Sequence, residues 1–362
     1  MSRSLLGLGI LAAVALAALA ATTLDWSALR RDATPRERVR VAIFYGGEKS
    51  AFLENPAVRD LLDRRFRIDL DARRAGSVEM VTTLPSDGKD CLWPSTAVAV
   101  ELARASGRPV LGAETVFSSP IVLFAWAEVA DALQRTGVVR PRADGFLAAD
   151  LGRLGEMLAS GARWREDLGV NVYGPVRVLS TDPARSNSGN IWSALLATAF
   201  NGGETPTADD LPALLPRIEA YFAGLGYMES SSGDIFEGFL KQGMGARPVI
   251  VGYENQLVEF LIANAAYVET ISARIRVIYP EPTIFASHPL ISLTPTCRRL
   301  EEALLDPDVQ ALAWSDHGFR TGLMGVTDDP ERLKSASLPE RVDLVAPMPA
   351  ATVMETIIAA LR

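Results

Sequence analysis

The sequence contains few of the residues on which most enzymes and metal sites depend. Its 362 residues include only two histidines, His288 and His317, and two cysteines, Cys91 and Cys297. These four residues do not show the spacing of a metal-ligand set. The motifs G-x-S-x-G and H-E-x-x-H are absent, as is S-x-x-K with its usual partners. We therefore predict no metal site, no cofactor and no enzymatic activity.

The chain also lacks an excess of positive charge. Its 36 Lys and Arg residues against 44 Asp and Glu residues give a net charge of −8, which argues against nucleic acid or an anionic membrane surface as a partner. Apolar residues make up 48% and charged residues 22%, as in ordinary folded proteins. The length allows one large domain or two medium ones.

Long apolar runs are limited to the N-terminus. Residues 5–21 are apolar or small, Arg3 precedes them, and Ala18-Leu19-Ala20 fits a signal-peptidase site. We predict a signal peptide within residues 1–24, a linker at 25–38 and a periplasmic location. The alternative is an uncleaved helix that anchors the protein to the inner membrane, since residues 5–24 are long enough to span it.

The two cysteines allow two interpretations. An oxidising compartment would permit a Cys91–Cys297 disulfide, whereas the alternative is a pair of small buried side chains. Separation along the sequence does not fix the distance between their Cα atoms, so both interpretations stay open.

Short runs of strand-forming residues alternate with helical patterns along the body of the chain. The alternation predicts a parallel sheet covered by helices. Strands are predicted at residues 39–45, 66–70, 175–180 and 247–252. Helices are predicted from about residue 50 and at residues 94–105, 191–200, 211–225, 254–265, 297–313 and 349–361.

Two extended stretches, residues 114–124 and 275–293, are too long for ordinary strands of an α/β unit. We interpret them as crossovers between two α/β lobes that enclose a cleft. The predicted boundaries are 38–118 plus 283–362 for the first lobe and 119–282 for the second.

Small polar residues follow several predicted strands, where ligands bind in open α/β sheets. At the first junction Gly47 permits close approach of the backbone, and Lys49 and Ser50 supply donors. The alternative is a capped turn with a surface lysine. At the second, Ser95 and Thr96 mark a helix start.

Trp93, just before Ser95, can line the cleft or pack in the core. A third junction, residues 181–190, carries more polar residues than helix capping requires. Its candidate ligand contacts are Ser186, Asn187, Ser188 and Asn190.

A fourth junction contains Tyr253 and Glu254. A buried Glu254 would need a cationic or hydroxyl partner, and the alternative is the acidic first turn of an ordinary helix. Residues 230–234 are interpreted as a loop and helix cap rather than as a site.

An ordered set of segments resembles the bacterial extracellular solute-binding proteins of type II, which include the molybdate- and sulfate-binding components of ABC transporters. The set is GGEKS, DCLWPST, VFSSPIVLFAW, VLSTDPARSNSGNIWSALL, VIVGYENQ and YPEPTIFASHPLISL, within about residues 39–320. The resemblance implies two lobes that close over a ligand, with Ser119 at the crossover. Oxyanion binders of this class avoid carboxylates in the cleft, so an inward-facing Glu48 or Glu254 argues against an oxyanion.

The resemblance implies a monomeric periplasmic protein that captures a small polar solute, such as an oxyanion, by hinge closure and delivers it to an ABC permease in the inner membrane. The main rival is a membrane-tethered sensing or interaction domain with the same fold. An enzyme that carries no familiar motif is the third interpretation.

The maturation prediction can be tested directly. Protein recovered from the periplasm should begin near Ala21, because Ala18 and Ala20 fit the cleavage pattern. N-terminal sequencing measures this. Full-length protein in the membrane fraction would instead support the anchored alternative.

Overall fold

The computed structural model describes residues 37–143, 145–321, 338–339 and 341–362. The predicted signal segment and most of the predicted linker lie outside the described residues. The chain divides into two units, residues 1–39 and 40–362, and only residues 37–39 of the first unit are described.

The second unit is a mixed α/β structure. Its strands are β1 (Val39–Tyr45), β2 (Ile68–Arg74), β3 (Cys91–Trp93), β4 (Gly112–Trp126), β5 (Val139–Pro141), β6 (Leu147–Asp150), β7 (Val249–Tyr253), β8 (Ile275–Glu281), β9 (Phe285–Ser292) and β10 (Arg320–Thr321).

Its α-helices are α1 (Ser50–Glu54), α2 (Pro56–Asp60), α3 (Glu79–Thr82), α4 (Val98–Ala105), α5 (Ala127–Arg135), α6 (Leu151–Ser160), α7 (Asn187–Phe200), α8 (Leu211–Ala223), α9 (Ser232–Gln242), α10 (Glu254–Ala263), α11 (Val268–Arg274), α12 (Cys297–Leu304), α13 (Pro307–His317) and α14 (Ala351–Ala360). Short 3₁₀ turns lie at Gly47–Lys49 and Ala265–Tyr267, and a π turn at Leu61–Arg65.

The long strand β4 joins the strands into one path, in the order β2-β1-β3-β9-β4-β8-β6-β5. Its first part, up to Pro120, pairs antiparallel with β9, and β10 also pairs there. From Ile121 onward β4 pairs with β7 and β8 instead. β4 therefore passes from one group of strands to another, while the predicted lobe boundaries stay a prediction.

Local chemistry explains where the predicted elements and the structure differ. Residues 175–180 do not form a strand, because only Leu179 exchanges backbone hydrogen bonds with β7. The predicted helix at 297–313 is two helices, since Asp306 caps a new one that starts at Pro307. The stretch 275–293 is likewise two strands, with Pro282 between them.

Helix α7 lies at the centre of the structure. Every residue from Asn187 to Thr198 is buried, and Trp192 and Leu195 belong to the main hydrophobic core. A helix that is buried all round has no solvent face, which positions its first turn rigidly. Within the described residues, no helix is long and apolar enough to cross a membrane.

The two cysteines form a disulfide. Cys91 on β3 is bonded to Cys297 at the start of α12, with Cα atoms 5.5 Å apart. This bond ties the strand that leads to Ser95 to a helix from the C-terminal part of the chain. The structure therefore supports the disulfide interpretation.

Removal of the disulfide should destabilise the protein. The bridge closes a loop with a sequence separation of 206, so the Cys91→Ala/Cys297→Ala variant should lose about 2–5 kcal/mol of unfolding free energy. Denaturant unfolding of both proteins measures the difference. Two free thiols in the denatured, unreduced wild-type protein would contradict the bond.

Candidate functional site

A cavity of about 270 Å³ lies between two parts of the chain. Turns that follow β1 and β2 form one wall, and the first turns of α7 and α9 with their preceding loops form the other. The lining residues are Gly46, Gly47, Glu48, Arg74, Ala75, Gly76, Ser77, Glu79, Arg185, Ser186, Asn187, Ser230, Ser231, Ser232 and Asp234.

The two walls approach closely. A Cβ atom on Gly76 would lie 2.2 Å from the Arg185 carbonyl oxygen, so only glycine fits there. Two ion pairs also cross the cavity: Arg74 donates to both carboxylate oxygens of Asp234 at 2.9 and 3.0 Å, and Arg185 lies 3.9 Å from Glu79. The two walls therefore contact each other across the cavity.

A buried ion pair forms the floor of this site. Glu48 and Lys49, in the 3₁₀ turn after β1, contact each other and are almost wholly buried. Lys49 Nζ also donates to Ser95 Oγ at 2.9 Å, and Ser95 Oγ donates to Glu48. Gly46-Gly47 ends β1 and lets the chain turn, so that both charged side chains point inward.

The environment controls the charge of both groups. Burial alone would raise the pKa of Glu48, but the nearby Lys49 ammonium and the imidazole of His288 hold this pKa well below its usual range. Burial lowers the pKa of Lys49, and the Glu48 carboxylate opposes that effect. The carboxylate is therefore ionised at neutral pH.

His288, on β9, is fully buried beside the ion pair. Its Nδ1 lies 3.5 Å from Glu48 Oε1, and its ring contacts those of Tyr253 and Phe319. Burial and the Lys49 charge lower the pKa of His288 from 6.5 to about 4. The imidazole is therefore neutral at physiological pH.

Asn187, the first residue of α7, connects the ion pair to the opposite wall. Its Nδ2 donates to the Ser95 carbonyl oxygen at 2.7 Å and to Tyr253 Oη at 3.0 Å. Ser188 Oγ lies 2.8 Å from Thr181 Oγ1 and 3.2 Å from Ser186 Oγ. Residues from all four predicted junctions thus form one buried polar network.

Several predicted site residues come together at the cavity or in this network. Gly47, Ser186 and Asn187 line the cavity itself. Lys49, Ser95, Ser188 and Tyr253 are buried directly behind it. The surface-lysine alternative is wrong, because the side chain of Lys49 has no exposed surface.

Other predicted site residues have local roles in this structure. Ser50 donates to the Gly47 carbonyl oxygen, and Thr96 Oγ1 accepts from the Val98 amide. Trp93 packs in the aromatic core and donates to the His288 carbonyl oxygen. Ser119 Oγ contacts Asn255 Oδ1 at 3.3 Å, and Asn190 is fully buried. None of these five lines the described cavity.

Glu254 is paired inside the protein. Arg320 donates to Glu254 Oε1 at 2.8 Å and to Oε2 at 2.9 Å, and the Tyr279 hydroxyl donates to Oε2 as well. The carboxylate is fully buried and does not line the cavity, so this structure assigns it a structural contact instead. The expected cationic and hydroxyl partners are both present.

Sequence reasoning missed Arg74, Arg185 and Ser77 as cavity residues. It also treated residues 230–234 as a loop and cap. Ser231 Oγ does accept from the Gly233 amide at the start of α9, yet Ser231, Ser232 and Asp234 also line the cavity. The three consecutive serines at positions 230–232, where α9 begins, were the sequence feature that could have indicated a cavity wall here.

Comparisons with known proteins identify the fold. No protein-family model and no curated protein matches the sequence. The periplasmic binding protein P5PA superposes with a TM-score of 0.54 at 11% identity, covering 90% of this chain and 100% of P5PA. The chain has the type II periplasmic binding protein fold.

Two ferric-ion proteins share this fold. The apo ferric ion-binding protein A of Pasteurella haemolytica has a TM-score of 0.54 at 12% identity, covering 89% of this chain and 95% of its own. The ferric binding protein from Campylobacter jejuni has a TM-score of 0.55 at 11% identity, covering 89% and 97%. At these identities the likeness concerns the fold. The described residues of this chain contain no cluster of three or more His, Cys, Asp or Glu suited to a metal ion.

The buried histidine should make stability depend on pH. The pKa of His288 is about 4 in the folded protein and near 6.5 when unfolded. Between these values the unfolded chain takes up a proton that the folded protein excludes. Stability should therefore fall as pH falls through this window, by up to about 1.4 kcal/mol per pH unit.

Denaturant unfolding from pH 7 to pH 4 measures the effect. The His288→Gln variant keeps a polar side chain that cannot titrate, so its stability should decline less steeply with acidification. An unchanged decline in the variant would show that the titrating group is elsewhere.

Proposed function

We propose that this protein is a periplasmic solute-binding protein that traps a small polar ligand between two lobes and presents it to an ABC permease. The ligand would occupy the 270 Å³ cavity and leave chemically unchanged. The lobes would be the predicted ones, residues 38–118 plus 283–362 and residues 119–282, and the protein would act as a monomer.

One observation carries this proposal: the cavity is walled by two sequence-distant parts of the chain that contact each other across it. Residues 46–79 form one wall and residues 185–234 the other. Exposed ion pairs such as Arg74–Asp234 contribute only about 0–1 kcal/mol each, so these pairs oppose separation of the walls only weakly. The fold supports the same interpretation, since its structural relatives include binding proteins by name.

The size of the cavity and its hydroxyl groups favour a small ligand held by many hydrogen bonds. Serine, backbone amide and guanidinium donors are available on both walls. The membrane-tethered sensor remains the second candidate, and it would use the same cavity without feeding a permease.

A reversible lock across the cleft tests the proposal. A Cβ atom at Gly47 would lie 2.9 Å from Ser231 Oγ, so Gly47→Cys and Ser231→Cys place two thiols within bonding reach across the cavity. The oxidised variant should neither load nor release ligand, because the walls cannot separate. Native mass spectrometry of protein purified without refolding measures the retained ligand and its exchange.

The reduced form of the same variant is the matched control and should exchange ligand, whereas the oxidised form should not. The two single-cysteine variants control for loss of the Ser231 cap. Free exchange in the oxidised form would show that this cavity is not the binding site.

A further inference from the structure

A second cavity, of about 280 Å³, lies among helices α6, α7 and α8 and the segment 175–177. It shares no lining residue with the 270 Å³ cavity described above. Asn187, at the start of α7, lines the first cavity, whereas Phe200, at its end, lines the second. Because the 14 residues of α7 span about 20 Å, the two cavities are separate sites.

Much of the lining of the second cavity is apolar. Tyr221 also lines it, but its hydroxyl is already engaged, since it accepts from Trp192 Nε1 and donates to the Val178 carbonyl oxygen. An apolar group on a ligand would therefore find contacts here. The apolar lining residues are Leu158, Ala159, Pro175, Val176, Phe200 and Ala220.

Two arginines supply the charge of the second cavity. Arg177 donates to the Tyr221 carbonyl oxygen at 3.4 Å, and Arg217 donates to the Phe200 carbonyl oxygen at 3.2 Å. Each guanidinium carries five N–H donors. Within the part of the chain that the structure describes, neither makes a further hydrogen bond or an ion pair, and no carboxylate lines the cavity.

The packing of the two guanidiniums leaves most of their donors unused. Arg217 lies over the ring of Phe200, with Cζ 4.1 Å from the ring centroid. Such stacking uses the face of the guanidinium, whereas its donors lie along the edges. Arg177 is half-buried and packs against Gly224, where a Cβ atom would lie 1.8 Å from Arg177 Nη1. Two cations that face an apolar cavity without a carboxylate favour an anionic partner.

A purely structural role is the alternative for these arginines. Phe200 and Tyr221 lie in the last turns of α7 and α8, and a cation beside the last carbonyl groups stabilises a helix. This role uses one donor of each arginine. The partial negative charge of the same helix ends would also disfavour a bare anion, so a ligand here needs the apolar contacts as well.

We propose that the second cavity binds a small carboxylate that carries a compact apolar group. Arg177 and Arg217 hold the carboxylate, and the apolar group packs against Phe200, Leu158 and Val176. Sites for drug-sized ligands measure about 300–1,000 Å³, so a cavity of 280 Å³ fits a single ring or a short branched chain. The proposal is independent of the ligand in the 270 Å³ cavity.

Calorimetric titration of the full protein tests the proposal with three matched probes. Phenylacetate carries both groups, phenylacetamide has the same shape without the charge, and acetate lacks the ring. Phenylacetate should bind at least about tenfold more tightly than either, because a hydrogen bond to a charged group contributes at least that factor. Phenylacetate that does not bind saturably, or binds no more tightly than phenylacetamide, would overturn the proposal.

Charge variants locate the carboxylate. Arg177→Gln and Arg217→Gln should each weaken phenylacetate at least about tenfold and leave phenylacetamide unchanged. Arg104→Gln, at an exposed position outside the cavity, is the matched control. Thermal melts verify folding. If Arg177→Gln fails to fold, the exposed Arg217 decides the result.

A volume variant locates the apolar group. Ala220→Phe should fill the cavity and abolish binding of phenylacetate while both arginines remain. Ala213→Phe is the matched control, since Ala213 is also an exposed residue of α8 but does not line the cavity.

The outcomes separate this site from the solute-binding function. The oxidised Gly47→Cys/Ser231→Cys protein should bind phenylacetate as its reduced form does, whatever the lock does to the other ligand. Affinity that is unchanged in Arg217→Gln and Ala220→Phe but lost in Arg185→Gln would place the probe in the 270 Å³ cavity and overturn the proposal. Lower melting temperatures with unchanged affinity would leave the arginines only their structural role.

Discussion

The site depends on one buried ion pair, that of Glu48 with Lys49. An unpaired carboxylate or ammonium at this depth would be expensive, and each compensates the other while Ser95 contacts both. All three residues belong to the turns that follow β1 and β3, so the pair stabilises one wall of the cleft internally. The surrounding polar groups are arranged around this fixed pair: His288 stays neutral beside it, and Asn187 reaches it from the opposite wall through the Ser95 carbonyl oxygen.

A second buried pair has a related role near the middle of β4. Arg320, on β10, lies beside Ser118 of β4, whereas Glu254 follows β7, whose Tyr253 lies beside Ile121. The bidentate contact between Arg320 and Glu254 therefore spans the point where β4 changes its partners. Removal of one partner of such a pair costs about 3–5 kcal/mol, because it leaves an uncompensated buried charge.

The sequence predicted what depends on local chemistry. The bounds of β1 match the prediction because an uninterrupted run of strand formers ends at Gly46-Gly47. Lys49 and Ser95 come together because they follow the neighbouring parallel strands β1 and β3, and Tyr253 ends β7. Their role in ligand binding stays a prediction. Composition alone could not show that residues 175–180 do not form a strand. Strand formation depends on pairing with β7, and only Leu179 makes backbone hydrogen bonds to it. Arg74 and Arg185 look like ordinary solvated arginines in the sequence, and only the tertiary fold brings them to the cavity.

The contacts that cross the cavity are weaker than the buried ion pairs. This difference indicates how the two walls could separate. The buried Glu48–Lys49 pair lies within one wall, so separation of the walls leaves it intact. The Glu254–Arg320 pair does not line the cavity, although it joins the two predicted lobes beside β4. The contacts that do cross the cavity include the exposed Arg74–Asp234 pair, the longer Arg185–Glu79 pair and the hydrogen bond from Asn187 to the Ser95 carbonyl oxygen. Exposed pairs contribute about 0–1 kcal/mol each and a neutral hydrogen bond about 0.5–1.5 kcal/mol. A ligand that replaces the lost contacts can shift such an equilibrium towards closure, because it interacts with both walls only when they meet.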